Sequence, residues 1–151
     1  MDKIVISDTS CLIALDRIDY LHILRETFNH ILTTPEIEQE FGQKLPDWIH
    51  IQKNKDDNKK RELEISVDKG EASAIALALE IRNCTLIIDE KKGRELAKKL
   101  HIDIIGTLKV ILLAKQKGII PRVKPLIEQL QRDNFRLAKN IVNQIIKESG
   151  E

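Results

Sequence analysis

The sequence predicts an α/β fold on a central, mostly parallel sheet, and three observations predict it. Short runs rich in β-branched residues alternate with amphipathic stretches, the rhythm of βαβ units joined by right-handed crossovers. The first run, Lys3 to Ser7, has Ile4, Val5 and Ile6 apolar on both faces, as suits a strand covered by helices on each side. Two such runs stop at an aspartate, Asp8 and Asp89, and a helical pattern follows each.

Taken in order, Lys3 to Ser7 is the central strand, followed by a helix from about Thr9 to Leu15. Tyr20 to Leu24 suggests further helix, and His30 to Thr33 a short strand. Thr34 then has the grammar of an N-cap with Pro35 in the first helical position, and this helix should run to Phe41 and stop at Gly42. Trp48 to Ile51 reads as an extended edge piece, and Lys53 to Arg61 is charged enough to be either a solvated loop or the exposed start of a helix. Gly70 opens a helix in which Ala72, Ile75, Ala76 and Leu79 share one face. The Thr85 to Asp89 strand comes next, then a helix over Glu90 to Leu100 and a strand over Ile102 to Ile105. A helix over Leu108 to Lys117 ends at Gly118. Beyond Pro121 the chain turns helical, Val123 to Gln131 and Leu137 to Lys147, with Asn134 in the turn between them.

Length and composition narrow the function. A chain of 151 residues is expected to form one domain over 1–151, with a helical extension from about 121, burying ~70% of its unfolded surface. Twenty-five basic against 24 acidic side chains exclude a globally basic nucleic-acid coat, so any nucleic-acid contact must come from a local patch. Cys11 and Cys84 form no CxxC pair, and His22, His30, His50 and His101 lack metal-type spacing, so buried reduced thiols and no structural zinc are expected. Nothing reads as a signal peptide or membrane span, and a cytoplasmic location follows as an expectation.

Chemistry is concentrated in acids. Asp8 and Asp89 end strands; if those strands are parallel neighbours, about 4.8 Å apart, the two carboxylates lie side by side and repel unless something positive intervenes. Glu40 on the Pro35 helix and Glu71 in the first turn of the Gly70 helix are placed to join them. Each has a plain alternative: Asp8 and Asp89 as helix caps, Glu71 as a complement to a helix dipole, Glu40 as a solvated face residue. Jointly they suit a hard divalent cation such as Mg²⁺ or Mn²⁺, which takes oxygen ligands and needs only a few carboxylates. Lys91, Lys92 and Arg94 follow Asp89 and are candidates to receive a polyanion, unless Glu90 and Arg94 simply pair along a solvated face. Ser10 and Thr107 are hydroxyls placed to steady a carboxylate, or helix caps.

With those residues in view, the chain resembles PIN domains, and most closely their VapC-like branch. The resemblance is carried by Ser7-Asp8-Thr9-Ser10, by Thr34-Pro35-Glu36-Ile37-Glu38-Gln39-Glu40-Phe41, by Gly70-Glu71-Ala72 before an Ala-rich helix, and by Ile87-Ile88-Asp89 with its basic run. Gly106-Thr107 and the Ser149-Gly150-Glu151 tail fit a poorly characterised subgroup. The resemblance implies a three-layer α/β/α fold and metal-dependent cleavage of RNA phosphodiesters. It also implies a toxin paired with an antitoxin, and a homodimer, for which the helices after Pro121 and the Tyr20 to Leu24 segment are the expected surface. Asp8, Glu40, Glu71 and Asp89 would be the acidic quartet around Mg²⁺ or Mn²⁺. The third position is often Asp in the family and is Glu71 here; for the family's second acid near its fourth Asp the chain has only Glu90, immediately adjacent to Asp89, and whether it joins the site stays open.

Other classes fit less well. A haloacid dehalogenase-type phosphatase needs a second Asp two residues after the first, where this chain has Ser10. A receiver-type phospho-acceptor needs an extra acidic pair near the first strand. A catalytically silent PIN-like module that binds RNA or protein is the remaining alternative, and retention of all four acids argues against it.

Overall fold

A computed structural model describes residues 4–151. Its sheet has the order β3-β2-β1-β4-β5, formed by β1 (Ile4–Ser7), β2 (His30–Thr33), β3 (Ile49–Ile51), β4 (Cys84–Ile87) and β5 (Asp103–Ile105). Every pairing is parallel, so the sheet is wholly rather than mostly parallel among the described residues. Lys3, where the first strand was expected to begin, lies outside them. β1 is central because Val5 and Ile6 offer water nothing polar on either face; both are fully buried. β3 and β5 are the edge strands, and β3 exposes His50 and Ile51.

Helices cover both faces, giving the three-layer α/β/α arrangement. α1 (Thr9–Arg17) follows β1, and α2 (Ile23–Thr27) starts later than the Tyr20 to Leu24 pattern suggests because Leu21 and His22 form a turn that precedes it, closed by the Ile23 amide on Tyr20 O. α3 (Pro35–Phe41) has Thr34 as its N-cap and ends at left-handed Gly42. The charged stretch resolves into a loop and then α4 (Asp57–Leu63), with Asp56 accepting from the amide of Lys59. α5 (Lys69–Ile81) buries every residue from Gly70 to Ala78, which its small alanines permit, and packs between β1, β4, α3 and α4. α6 (Lys91–Lys99) makes the last crossover, from β4 to β5, and α7 (Thr107–Gln116), α8 (Lys124–Arg132) and α9 (Lys139–Ser149) follow the final strand, α9 lying against α7. Among the described residues no helix is long and apolar enough to cross a membrane.

Candidate active site

The register of β1 on β4 pairs Ser7 with Ile87, so the chain leaves both strands at the same level of the sheet. There Asp8 does two things at once. Its Oδ1 accepts from the amide of Cys11 at 2.9 Å, capping α1, while Oδ2 accepts from the amide of Asp89 at 3.1 Å. The cap reading and the site reading of Asp8 are therefore compatible. Asp89 is not the cap of its own helix: it sits two residues past the end of β4 and turns toward α7. Thr107 donates its amide to Asp89 Oδ1 at 2.9 Å and its hydroxyl to Oδ2 at 2.6 Å. Gly106, the N-cap of α7, has no side chain to do this, so Asp89 satisfies that helix end from a distant part of the chain.

A chain of hydroxyls brings the helices to the strand ends. Ser73 donates to Gly70 O at 2.7 Å, and Thr34 Oγ1 lies 2.7 Å from Ser73 Oγ. The single Ser73 proton is used, so Thr34 is the donor, and α3 is pinned to α5. That places Glu40 over Gly70 so closely that a Cβ there would stand 1.8 Å from Glu40 Oε1. Likewise a Cβ on Gly93 would stand 2.7 Å from Glu71 Oε2. Only a residue without a side chain lets each carboxylate approach.

Glu71 gathers two further acids. Carboxylate oxygens of Asp68, Glu71 and Glu90 all lie within 4.8 Å of one another. Asp68 is the N-cap of α5, accepting from the amide of Glu71 at 2.8 Å. Sequence reasoning passed over Asp68, although an acid three residues before a Glu at a helix start is a capping signature. Glu90, left open by its adjacency to Asp89, points into this group. Among the described residues none of these acids, Asp8, Glu40, Asp68, Glu71, Asp89 or Glu90, is ion-paired with a Lys, Arg or His. Glu36, one turn before Glu40, is paired with Lys60 at 2.8 Å.

The electrostatics follow from that lack of counter-charge. Burial, then the Asp89 charge, push Asp8 well above the usual carboxylate range, against the pull of its two amide donors. Glu71 rises to about 7 through burial and the charges of Asp68 and Glu90. Glu40, although an exposed residue, has its carboxylate close over Gly70 and is raised as well, first by partial burial and then by the charge of Asp68, while a hydrogen bond from the Thr9 side chain lowers it. Hard oxygen donors crowded together at the cost of their own ionisation match what a divalent cation of the Mg²⁺ type needs.

The remaining expected residues are placed as follows. Ser10 is exposed on the rim of a cleft that Asp89 also lines, and the bonds holding Asp8 come from backbone amides instead. Lys91 and Lys92 are exposed in the first turn of α6, with Lys92 lining the recess that holds Asp68, Glu71 and Glu90. Arg94 is half-buried, and its guanidinium donates to Ile88 O at 2.7 Å rather than pairing with Glu90.

A parallel sheet between two helical layers, with acids gathered at the carboxyl ends of its strands, defines an α/β domain with a candidate metal site where such folds place their ligands. The chain belongs to the PIN-domain family, whose model, described as PIN domain, matches residues 4–151. No curated protein matches the sequence.

Proposed function

We propose that this protein is a Mg²⁺- or Mn²⁺-dependent endoribonuclease of the VapC-like branch. On this reading it is a single domain acting in the cytoplasm as the toxin of a type II toxin–antitoxin pair, with a cognate antitoxin and a second copy of itself as partners. The observation that carries the reading is the meeting of Asp8 and Asp89, hydrogen-bonded through the Asp89 amide, with the charge of Glu71, itself grouped with Asp68 and Glu90, felt at Asp8, and with none of these five acids ion-paired among the described residues. Asp8, Glu40, Glu71 and Asp89 are the proposed ligands, joined by Asp68 and Glu90. A divalent cation bound there supplies a Lewis acid that activates water and offsets charge on the reacting phosphate. The chain's own residues do the positioning. Thr107 fixes both Asp89 oxygens, the Cys11 and Asp89 amides fix those of Asp8, and Lys91 and Lys92 draw the phosphate backbone toward the pocket. Arg94 holds the Ile88 carbonyl, which aligns the turn carrying Asp89.

The test has two parts. Single-stranded RNA should be cut with Mn²⁺ and left intact with EDTA. Millimolar Mn²⁺ should also raise the melting temperature of the wild type, since a ligand bound only by the native state stabilises it, and Asp8→Asn should remove that rise. A protein that folds, ignores Mn²⁺ and leaves RNA intact is the silent module instead.

A further inference from the structure

A cleft of about 570 Å³ is lined by Asp89 and Glu90 together with residues of α1 and of the end of α8. Its one wall is a single face of α1, because Ser10, Ile13, Ala14 and Arg17 stand at i, i+3, i+4 and i+7. The other wall is the end of α8. That helix closes with a Schellman motif: Phe135 N donates to Leu130 O at 3.0 Å, Asn134 N donates to Gln131 O at 3.1 Å, and Asn134 is left-handed with φ 62°. The motif fixes Phe135 and Arg136 at the cleft, facing α1. Aromatic side chains are scarce in this chain, and Phe135 is the one among the described residues that lines a cleft reaching Asp89. Arg122 and Arg132 are paired with carboxylates, whereas Arg17 and Arg136 are exposed and make no ion pair among the described residues, although Asp133 lines the same cleft.

We infer that this cleft receives one nucleobase of single-stranded RNA, stacked on Phe135, with Arg17 and Arg136 holding the phosphates on either side. The inference rests on the ribonuclease reading above and adds where the strand runs. The apolar floor of Ile13, Ala14 and Leu130 suits a base and not a phosphate, while two unpaired guanidinium groups at the mouth suit the backbone. Stacking needs an aromatic face and is tolerant of base identity, so the cleft positions the strand without reading its sequence.

The test measures binding, in the non-cleaving Asp8→Asn background, of a labelled single-stranded oligoribonucleotide of about eight nucleotides and of its abasic counterpart. Phe135→Leu keeps the apolar contact of the helix end, so the melting temperature should hold, while affinity for intact RNA should fall roughly tenfold. Phe135→Trp should retain it. Abasic RNA should bind both proteins equally weakly, and Arg17→Ala or Arg136→Ala should each lower the salt slope of log affinity by about 0.7. Full affinity in a folded Phe135→Leu protein, equal binding of abasic and intact RNA, or no RNA binding overturns the inference; a cleft made for a protein segment would give the first two. Cleavage by the wild type with any of those outcomes leaves the nuclease standing without this cleft. A Phe135 effect on binding with no cleavage under any metal leaves the cleft standing without the nuclease.

Discussion

Two groups of buried carboxylate oxygens show opposite solutions to one problem. At the strand ends, Asp8 and Glu71 face other acids, and burial pushes both upward, Glu71 to about 7. At the far end of the chain Glu151, its side chain 7% exposed, faces only donors. Lys115 reaches its Oε2 at 2.9 Å and also Ser149 O at 2.6 Å, the amides of Val123 and Lys124 donate from the start of α8, and Arg122 stands 3.5 Å away. Burial alone would raise Glu151, but the Val123 amide and Lys115 outweigh it and carry it down to about 2. Matched, a buried carboxylate ties α7, α8 and the chain end together. Unmatched, it lowers stability and is retained only if something from outside completes it.

The largest effect that would sharpen this contrast is on catalysis. Asp89→Asn should slow RNA cleavage by roughly a thousandfold, the scale expected for several kcal/mol of lost charge stabilisation at about 1.4 kcal/mol per tenfold. Initial rates with saturating Mn²⁺ measure it, and a variant within a factor of about ten of wild type would show Asp89 to be only a brace for α7. At the matched end the effect falls on stability. Glu151→Ala leaves two amides without acceptors and Lys115 with only a carbonyl, so it should cost about 2 kcal/mol, a loss of about 4–8 °C in melting temperature. Cleavage per folded molecule should not change.

Thr107 joins the two principles, since it supplies donors to an acid of the unmatched group. Thr107→Val removes the hydroxyl that reaches Asp89 Oδ2 at 2.6 Å while keeping shape, and should lower activity or Mn²⁺ affinity about tenfold, with Thr107→Ser restoring it. Equal losses in Val and Ser variants would mean that packing around this fully buried position, not the hydrogen bond, is what matters.

The fold was legible because β1, β4 and α5 are written in one alphabet: Val5, Ile6, Leu86 and Ile87 can only be central strand, and the alanines of α5 only a buried helix. Side-by-side Asp8 and Asp89 followed from the same argument, since neighbouring strands of equal register must end together. Less visible was whatever depends on side-chain reach. Asp68 looks like an ordinary cap, Glu90 like a solvated neighbour, and Gly93 like any helix glycine, until the crossing of α5 and α6 sets them around Glu71. Arg94 reads as a surface cation and instead turns inward to a carbonyl, because the strand-to-helix turn leaves Ile88 O within its reach. The Glu151 knot could not be read at all: its partners are 36, 28 and 27 residues away and none has a motif.

The smallest effect is also the most direct test of the contrast, because the two groups bend stability in opposite directions with pH. Glu71 and Asp8 hold protons more tightly in the native state than in the unfolded chain. The Glu71 contribution is therefore fully present below about 4.5 and drains away as pH rises through about 7, and the raised Asp8 bends stability in the same direction. Glu151 does the reverse, contributing fully above about 4.5 and failing as pH drops toward about 2. Between about pH 5 and 7.5 the Glu71 contribution changes while that of Glu151 does not. Glu71→Gln is the clean probe: both oxygens of Asp8 accept from backbone amides, one of which an Asn would lose, and Asp89 takes both donors of Thr107, whereas no backbone amide or hydroxyl among the described residues donates to the Glu71 carboxylate. Without metal, the variant should flatten that slope and gain on the order of 1 kcal/mol near neutrality, read by denaturant melts across the range. Saturating Mn²⁺ should flatten the wild type in the same way. A Glu71→Gln protein that is less stable at pH 7 with its slope intact would mean that the pocket already contains its own compensation, and the difference between the two ends of the molecule would then be one of degree.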